Sequence, residues 1–312
     1  MKKLLLMIAL GALCVASACQ QSASNESTTA NANSNTTTSS TTNTTTPNAN
    51  SSAPANSSAP VKFPVADFPA TQMSAKVGDF VIAPEYKTVA DASLKGLDAV
   101  FGPLQQWKME TPGAELSEVS LGSEKVKIPN QFIIPIPAGQ TAKKGDIVLA
   151  AIGAFGMQRA LVIEDADPTK PTVAMLDYTY PETPTEYNSL ERKLEANTFV
   201  KISGDYAPGT SFYVKDGYYD KVYKVLSTSG EKILAQEATG QFKTFDKKDC
   251  KPMPFVINVK PGDKVRAELG FVLAAAVVTK VDPRLGRVWV VLDNESPNKM
   301  TTVLGYGRLM KS

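Results

Sequence analysis

Histidine is missing altogether from this 312-residue chain. That excludes Ser-His-Asp and Cys-His nucleophilic catalysis, histidine-ligated zinc and histidine acid–base chemistry. Cysteine is scarce, with Cys14 and Cys19 near the start and Cys250 alone in the rest of the chain. A lone thiol cannot close an internal disulfide, and without a histidine beside it Cys250 reads as a small hydrophobe rather than a nucleophile. An excess of one charge is missing too. Of 33 basic and 31 acidic residues, only Lys2, Lys3 and Glu26 precede Val61, which leaves 31 against 30 in the remainder. That balance lacks the basic footprint of a nucleic-acid binder. No Walker-type or Rossmann-type glycine motif is present, so the chain signals no nucleotide cofactor. Long apolar runs are missing as well. Leu4–Val15 and Gly270–Val281 both fall short of the ~20 residues that span a bilayer, and the second reads as a pair of strands.

The first eighteen residues read as an address. Lys2 and Lys3 precede the apolar run, which ends in Ala16-Ser17-Ala18-Cys19. This is the order of a secretory signal, and Ala16-x-Ala18 suits ordinary signal peptidase. The same residues resemble the lipobox of bacterial lipoproteins, with Ala16 where that family usually has Leu. Both readings cut between Ala18 and Cys19. The adjoining segment favours the lipoprotein. From Gln20 to Pro60 the chain is nearly all Ser, Thr, Asn and Ala, with no aromatic, Leu or Ile. Such a segment cannot bury enough apolar area to offset its ordering entropy. It reads as a disordered tether over 19–60, with an r.m.s. span of roughly 35 Å. The resemblance implies that Cys19 is lipidated and holds the protein to a membrane, each buried CH₂ contributing about 0.8 kcal/mol. Gln20, where Asp often signals inner-membrane retention, leans toward the outer membrane of a cell envelope.

The remainder contains an internal repeat. Lys76–Ala83, Lys143–Ala150 and Lys260–Ala267 each read K-x-G-D-x-V-x-A, and Ala207–Val214 is a decayed copy. The later halves also match. Arg159–Ile163, Asp167-Pro168 and Val173–Asp177 parallel Ala275–Thr279, Asp282-Pro283 and Trp289–Asp293. Each unit is a Gly-Asp turn followed by short β-rich runs joined by tight turns. The expected boundaries are 61–140, 141–204, 205–258 and 259–312. Alternate strand residues face opposite sides. The repeated Val and Ala should therefore face each core. Phe80, Ile82, Ile147 and Leu149 on the other face need cover from elsewhere in the chain, whereas Lys264 and Arg266 should be solvated. Apolar spacing predicts one short helix inserted at Val89–Phe101 and a second candidate at Ser189–Ala196.

The order G-D-x-V-x-A, x-A-x-V, turn, strand ending in Asp resembles the Tudor and agenet class. Arg159–Val162 with Asp177-Tyr178 is the closest stretch, and short motifs carry the likeness. It implies a mainly β fold of tandem five-stranded antiparallel barrels. Such barrels often hold a cation or polar group among aromatics at one end. Carried onto the second unit, this implies a site at Phe155, Asp177, Tyr178 and Tyr180, although these aromatics would equally serve to close the barrel. The densest aromatic cluster is Tyr206, Phe212, Tyr213, Tyr218, Tyr219 and Tyr223. Within it Tyr213, Tyr218 and Tyr219 are candidates to contact a glycan or a protein, while Tyr is also simply a favoured strand residue. Asp216 with Asp220, and Glu164 with Asp165 and Asp167, lie in turn-like sequence rather than facing across a cleft as glycoside hydrolysis needs. The expected function is thus a non-enzymatic envelope binding module for a protein or a cell-wall glycan, with no catalytic residue, metal or cofactor. A structural spacer is the alternative, and a carboxylate-dependent glycan hydrolase stands behind both.

Overall fold

The computed structural model describes residues 68–69, 71–84, 104–151, 156–177, 191–237, 240–293 and 300–312. Twenty strands occur among them, in four groups of five. The first group is β1 (Phe80–Pro84), β2 (Leu104–Thr111), β3 (Leu116–Leu121), β4 (Glu124–Pro129) and β5 (Ile134–Pro135). The second is β6 (Ile147–Ala151), β7 (Met157–Glu164), β8 (Thr172–Met175), β9 (Glu191–Lys193) and β10 (Phe199–Lys201). The third is β11 (Ser211–Asp216), β12 (Tyr219–Ser229), β13 (Lys232–Glu237), β14 (Phe242–Asp246) and β15 (Lys251–Pro252). The fourth is β16 (Lys264–Leu269), β17 (Val272–Asp282), β18 (Arg287–Leu292), β19 (Thr301–Gly305) and β20 (Leu309–Lys311). In every group the first four strands form an antiparallel meander, and the fifth returns to pair with the first. The chain is mainly β, built from tandem small antiparallel barrels, as the repeat implied.

The Gly-Asp turn makes each copy the same. Gly78, Gly145 and Gly262 take φ of 89°, 93° and 92°, a region a Cβ disfavours. The following Asp folds back so that its carboxylate accepts the backbone N–H of the motif Lys, at 2.8 Å for Asp79, 2.8 Å for Asp146 and 3.0 Å for Asp263. The glycine N–H then reaches across to the second strand, to the carbonyls of Met109, Val162 and Val278 at 2.8–2.9 Å. Each of those residues is buried, and each is followed at once by a bulge in its ladder with the third strand. The decayed copy keeps the geometry with Thr210 in place of Asp. Gly209 has φ of 88° and donates to Val225 O at 2.8 Å, again beside a bulge.

These shared anchors fix the alignment of the copies. Val162 lies opposite Val173, and Val278 opposite Val290. Val173 therefore answers to Val290, one residue later than sequence matching suggests. Leu176, not Asp177, is the counterpart of Asp293. Their N–H groups donate to Arg159 O and Ala275 O at 2.8 and 2.9 Å.

Packing follows the alternation. Val81, Ala83, Val148, Ala150, Val265 and Ala267 are all fully buried. On the other face Ile82, Ile147 and Leu149 are buried as well, and Lys264 is exposed. Two positions depart from expectation. Phe80 is 37 % exposed, and Arg266 is held against the third barrel rather than solvated. Leu149 is covered by the third barrel's turn, where a Cβ added to Gly209 would lie 2.8 Å from its Cδ1. The third and fourth barrels share one ten-stranded sheet, because Lys221 of β12 pairs with Val272 of β17.

Two sequence expectations are corrected. Glu191–Lys193 is the strand β9, paired with β8, rather than part of a helix. An eight-residue helix is marginal alone, and here the third strand of the barrel offers an edge. Val272–Asp282 is one strand, not two, because its only turn residue, Gly270, lies before it and serves the hairpin with β16. The helix expected at Val89–Phe101 lies outside the described residues.

Replacing Leu149 by Lys puts an unpaired charge between the second and third barrels. We expect a loss of about 3 kcal/mol, or roughly 6–12 °C in thermal melting. An unchanged melting temperature would mean that the third barrel does not cover this face.

Candidate functional site

Asp177 follows β8 and sits where three barrels meet. Its Oδ2 accepts the Arg159 backbone N–H at 2.8 Å and Lys224 Nζ at 2.7 Å. Its Oδ1 accepts Arg159 Nε at 2.8 Å and lies 2.6 Å from the same guanidinium's Nη2. Arg159 Nη1 continues to Ser211 Oγ at 3.1 Å and to the carbonyl of Gly307 at 3.0 Å. Arg159 and Asp177 belong to the second barrel, Lys224 and Ser211 to the third, and Gly307 to the fourth. The Arg159 and Asp177 side chains are 2 % and 9 % exposed. Burial alone would raise the Asp177 carboxyl, but the charges and hydrogen bonds of Arg159 and Lys224 overcome it and hold the group far below the usual carboxylate range. Burial likewise works against the Arg159 charge, and Asp177 reverses that. A buried charge with both oxygens occupied is structural chemistry. Of its proposed companions, Phe155, Tyr178 and Tyr180 lie outside the described residues.

The tyrosine-rich segment divides into three environments. Phe212 and Tyr223 are cross-strand partners whose rings stack at 5.7 Å between centroids. With Phe245 and Tyr206 they fill the third barrel. Tyr206 adopts φ of 58° and donates its hydroxyl to Cys250 O at 3.0 Å. Cys250 is buried there, and burial, then the nearby Asp249 and Asp246, push its thiol up to about 12. It stays protonated, the opposite of an activated nucleophile.

Tyr213 faces the other way, into the joint with the fourth barrel. The Arg266 guanidinium lies 5.5 Å above its ring and pairs with Asp220. Val222, Met253 and Leu273 pack beneath. Tyr218 and Tyr219 occupy the third environment, the tip of the β11–β12 hairpin. Gly217, with φ of 61°, opens a two-residue turn, the arrangement that matches strand twist when glycine comes first. Tyr218 is 101 % exposed and Tyr219 60 %.

The proposed acid pairs are each engaged elsewhere. Asp216 pairs with Lys221 at 2.5 Å and Asp220 with Arg266. Asp165 accepts the Lys144 N–H, and Asp167 caps its own turn through Thr169. No group of three or more acidic or thiol side chains that could hold a metal ion occurs among the described residues.

Asp177→Asn keeps the side chain's size and removes its charge. At neutral pH the variant should lose about 3–5 kcal/mol, because two cations are left without their partner. The folded carboxyl is depressed, so this contribution is complete above the unfolded value of about 4 and is lost as pH falls below it. In thermal melts the gap between wild type and variant should begin to narrow below about pH 5 and still be narrowing at pH 2, because the folded carboxyl stays ionised well below the unfolded value. A constant gap would contradict an ionised Asp177.

No family model matches the chain, and no curated protein matches it. Among solved structures it is similar to the tandem Agenet domain 3-4 of ADCP1, at 19 % identity and a TM-score of 0.20, over 34 % of this chain and 80 % of that one. It is likewise similar to the AGD34 region of Arabidopsis thaliana AGDP1, at 21 % identity and a TM-score of 0.22, over 34 % of this chain and 82 % of that one.

Proposed function

We propose that this chain is a non-enzymatic lipoprotein of the cell envelope, anchored through Cys19 in the outer membrane, whose barrels bind a protein or a cell-wall glycan. The carrying observation is the β11–β12 tip. It holds two consecutive tyrosines out of the body, 101 % and 60 % exposed, where large aromatic side chains are ordinarily buried or packed. The chemistry elsewhere supports binding over catalysis. The chain has no histidine, the buried Cys250 thiol is held protonated, and the paired acids Asp216 and Asp220 are neutralised by Lys and Arg. The lipobox-like Ala16–Cys19 and the polar stretch after it support an anchored and displayed body. A spacer is the second reading. It is favoured by the Asp177 junction, which ties three barrels together without any need for a ligand.

The test is a crosslinking pull-down of tagged full-length protein from its own cells, beside a Cys19→Ala control. One dominant envelope partner, lost from the control together with membrane association, is the expected outcome. Self-crosslinks alone would favour the spacer. A Cys19→Ala protein that still fractionates with membrane would overturn the lipid anchor.

A further inference from the structure

The chain contains two versions of one hairpin tip. Gly217-Tyr218 joins the first and second strands of the third barrel. Gly270-Phe271 joins the same two strands of the fourth. Both glycines have nearly the same φ, 61° and 63°, and both place an aromatic residue second in the turn. Their surroundings differ. Phe271 is docked through its backbone: its carbonyl accepts the Val222 N–H at 2.9 Å, its neighbour Val272 pairs with Lys221, and the residue is 48 % exposed. Tyr218 stands wholly clear. Within one molecule, then, one such tip already contacts protein, against a strand of the adjoining barrel.

The free tip is also shaped for protein. A sugar lies in a concave groove or on a flat platform, and small-ligand sites in general are concave. Tyr218 has no flank of its own chain beside it, and Tyr219 leaves the turn along the strand, so the tip is convex. It is held in place before any partner arrives. Asp216 pairs with Lys221 across the hairpin, and Asp220 is tied to Arg266 of the fourth barrel. A preformed anchor loses little freedom on binding. On the strands that flank the turn are Lys215, Asp216, Asp220 and Lys221, charges of both signs. An aromatic centre within a charged rim is the anatomy of a protein–protein hot spot.

We infer that the Tyr218 tip is an anchor for a protein partner, which receives the Tyr218 ring in a pocket beside an accessible strand. This rests on the binding-module reading and chooses its protein branch over the glycan. The experiment places the photo-crosslinker p-benzoylphenylalanine at position 218 of the full-length protein in its own cells, with position 279, an exposed site on β17, as control. The expected result is one discrete protein adduct at 218, absent at 279 and unchanged by muramidase. Affinity of the purified partner for the full-length protein should then fall about thirtyfold with Tyr218→Ala and far less with Tyr218→Phe. Because Tyr218 is fully exposed, neither variant should melt differently. An adduct that muramidase collapses would overturn the protein partner and leave the binding tip standing. A lipid adduct, or an adduct whose partner binds Tyr218→Ala as tightly as wild type, would overturn the anchor. No adduct above the control would overturn both the inference and the binding role of the tip.

Discussion

A carboxylate removed from water must be compensated, and the buried Asp177–Arg159 pair is compensated from three barrels at once. Arg159 supplies a guanidinium and a backbone N–H from the same barrel, and Lys224 an ammonium from the next. Arg159 is itself satisfied only by reaching Ser211 and Gly307 beyond its own barrel. Moving the third barrel away takes Lys224 from Asp177, and moving the fourth takes a buried acceptor from the Arg159 guanidinium. Much of the arrangement follows from that constraint. A side chain at Gly307 would displace the Arg159 guanidinium, since its Cβ would lie 2.4 Å from Nη1. The Leu149 face closes on Gly209, and Gly286 of the fourth barrel packs on Leu161 and Leu176 of the second. The second barrel is thereby placed among the others rather than as a bead on a string.

The repeat and the junction work at different levels. The Gly-Asp turn is local chemistry used four times, once with Thr210 in the Asp position. It anchors each second strand and positions the bulge that curves the sheet. The junction is non-local and occurs once. Asp177 has no equivalent in Asp293, because the anchored register sets Asp293 against Leu176 instead. Repeated modules thus obtain a specific assembly from a residue that the repeat does not share.

This division explains what the sequence could disclose. The turn was legible because a glycine with positive φ and an Asp bonding the backbone of its own turn are written in four consecutive residues, Lys76–Asp79 and its copies. Core-facing Val and Ala followed from alternation. The tyrosine segment was legible as a cluster but not as three environments. Its Phe212 and Tyr223 go to the core because they are opposite each other in the ladder, while Tyr213 is opposite Val222 and turns to the joint. The sequence singles out Tyr213, Tyr218 and Tyr219 together, and only the two-residue turn separates the exposed Tyr218 and Tyr219 from Tyr213 in the joint. The helix expected around Glu191 failed because helical spacing over eight residues carries less weight than an available sheet edge. The role of Asp177 was not legible at all. Lys224 and Gly307 lie 47 and 130 residues away, and no local pattern links them.

The central claim is that the barrels form one body rather than four independent beads: buried charge joins the second, third and fourth, a shared sheet the third and fourth, and Ser227 on Gln131 O with Phe132 against Phe242 ties the first to the third. Scanning calorimetry of the full-length protein tests it most directly. One body unfolds in a single transition whose calorimetric and van't Hoff enthalpies agree. Two or more resolved transitions, or a calorimetric enthalpy several times the van't Hoff value, would show barrels unfolding independently and would contradict the account.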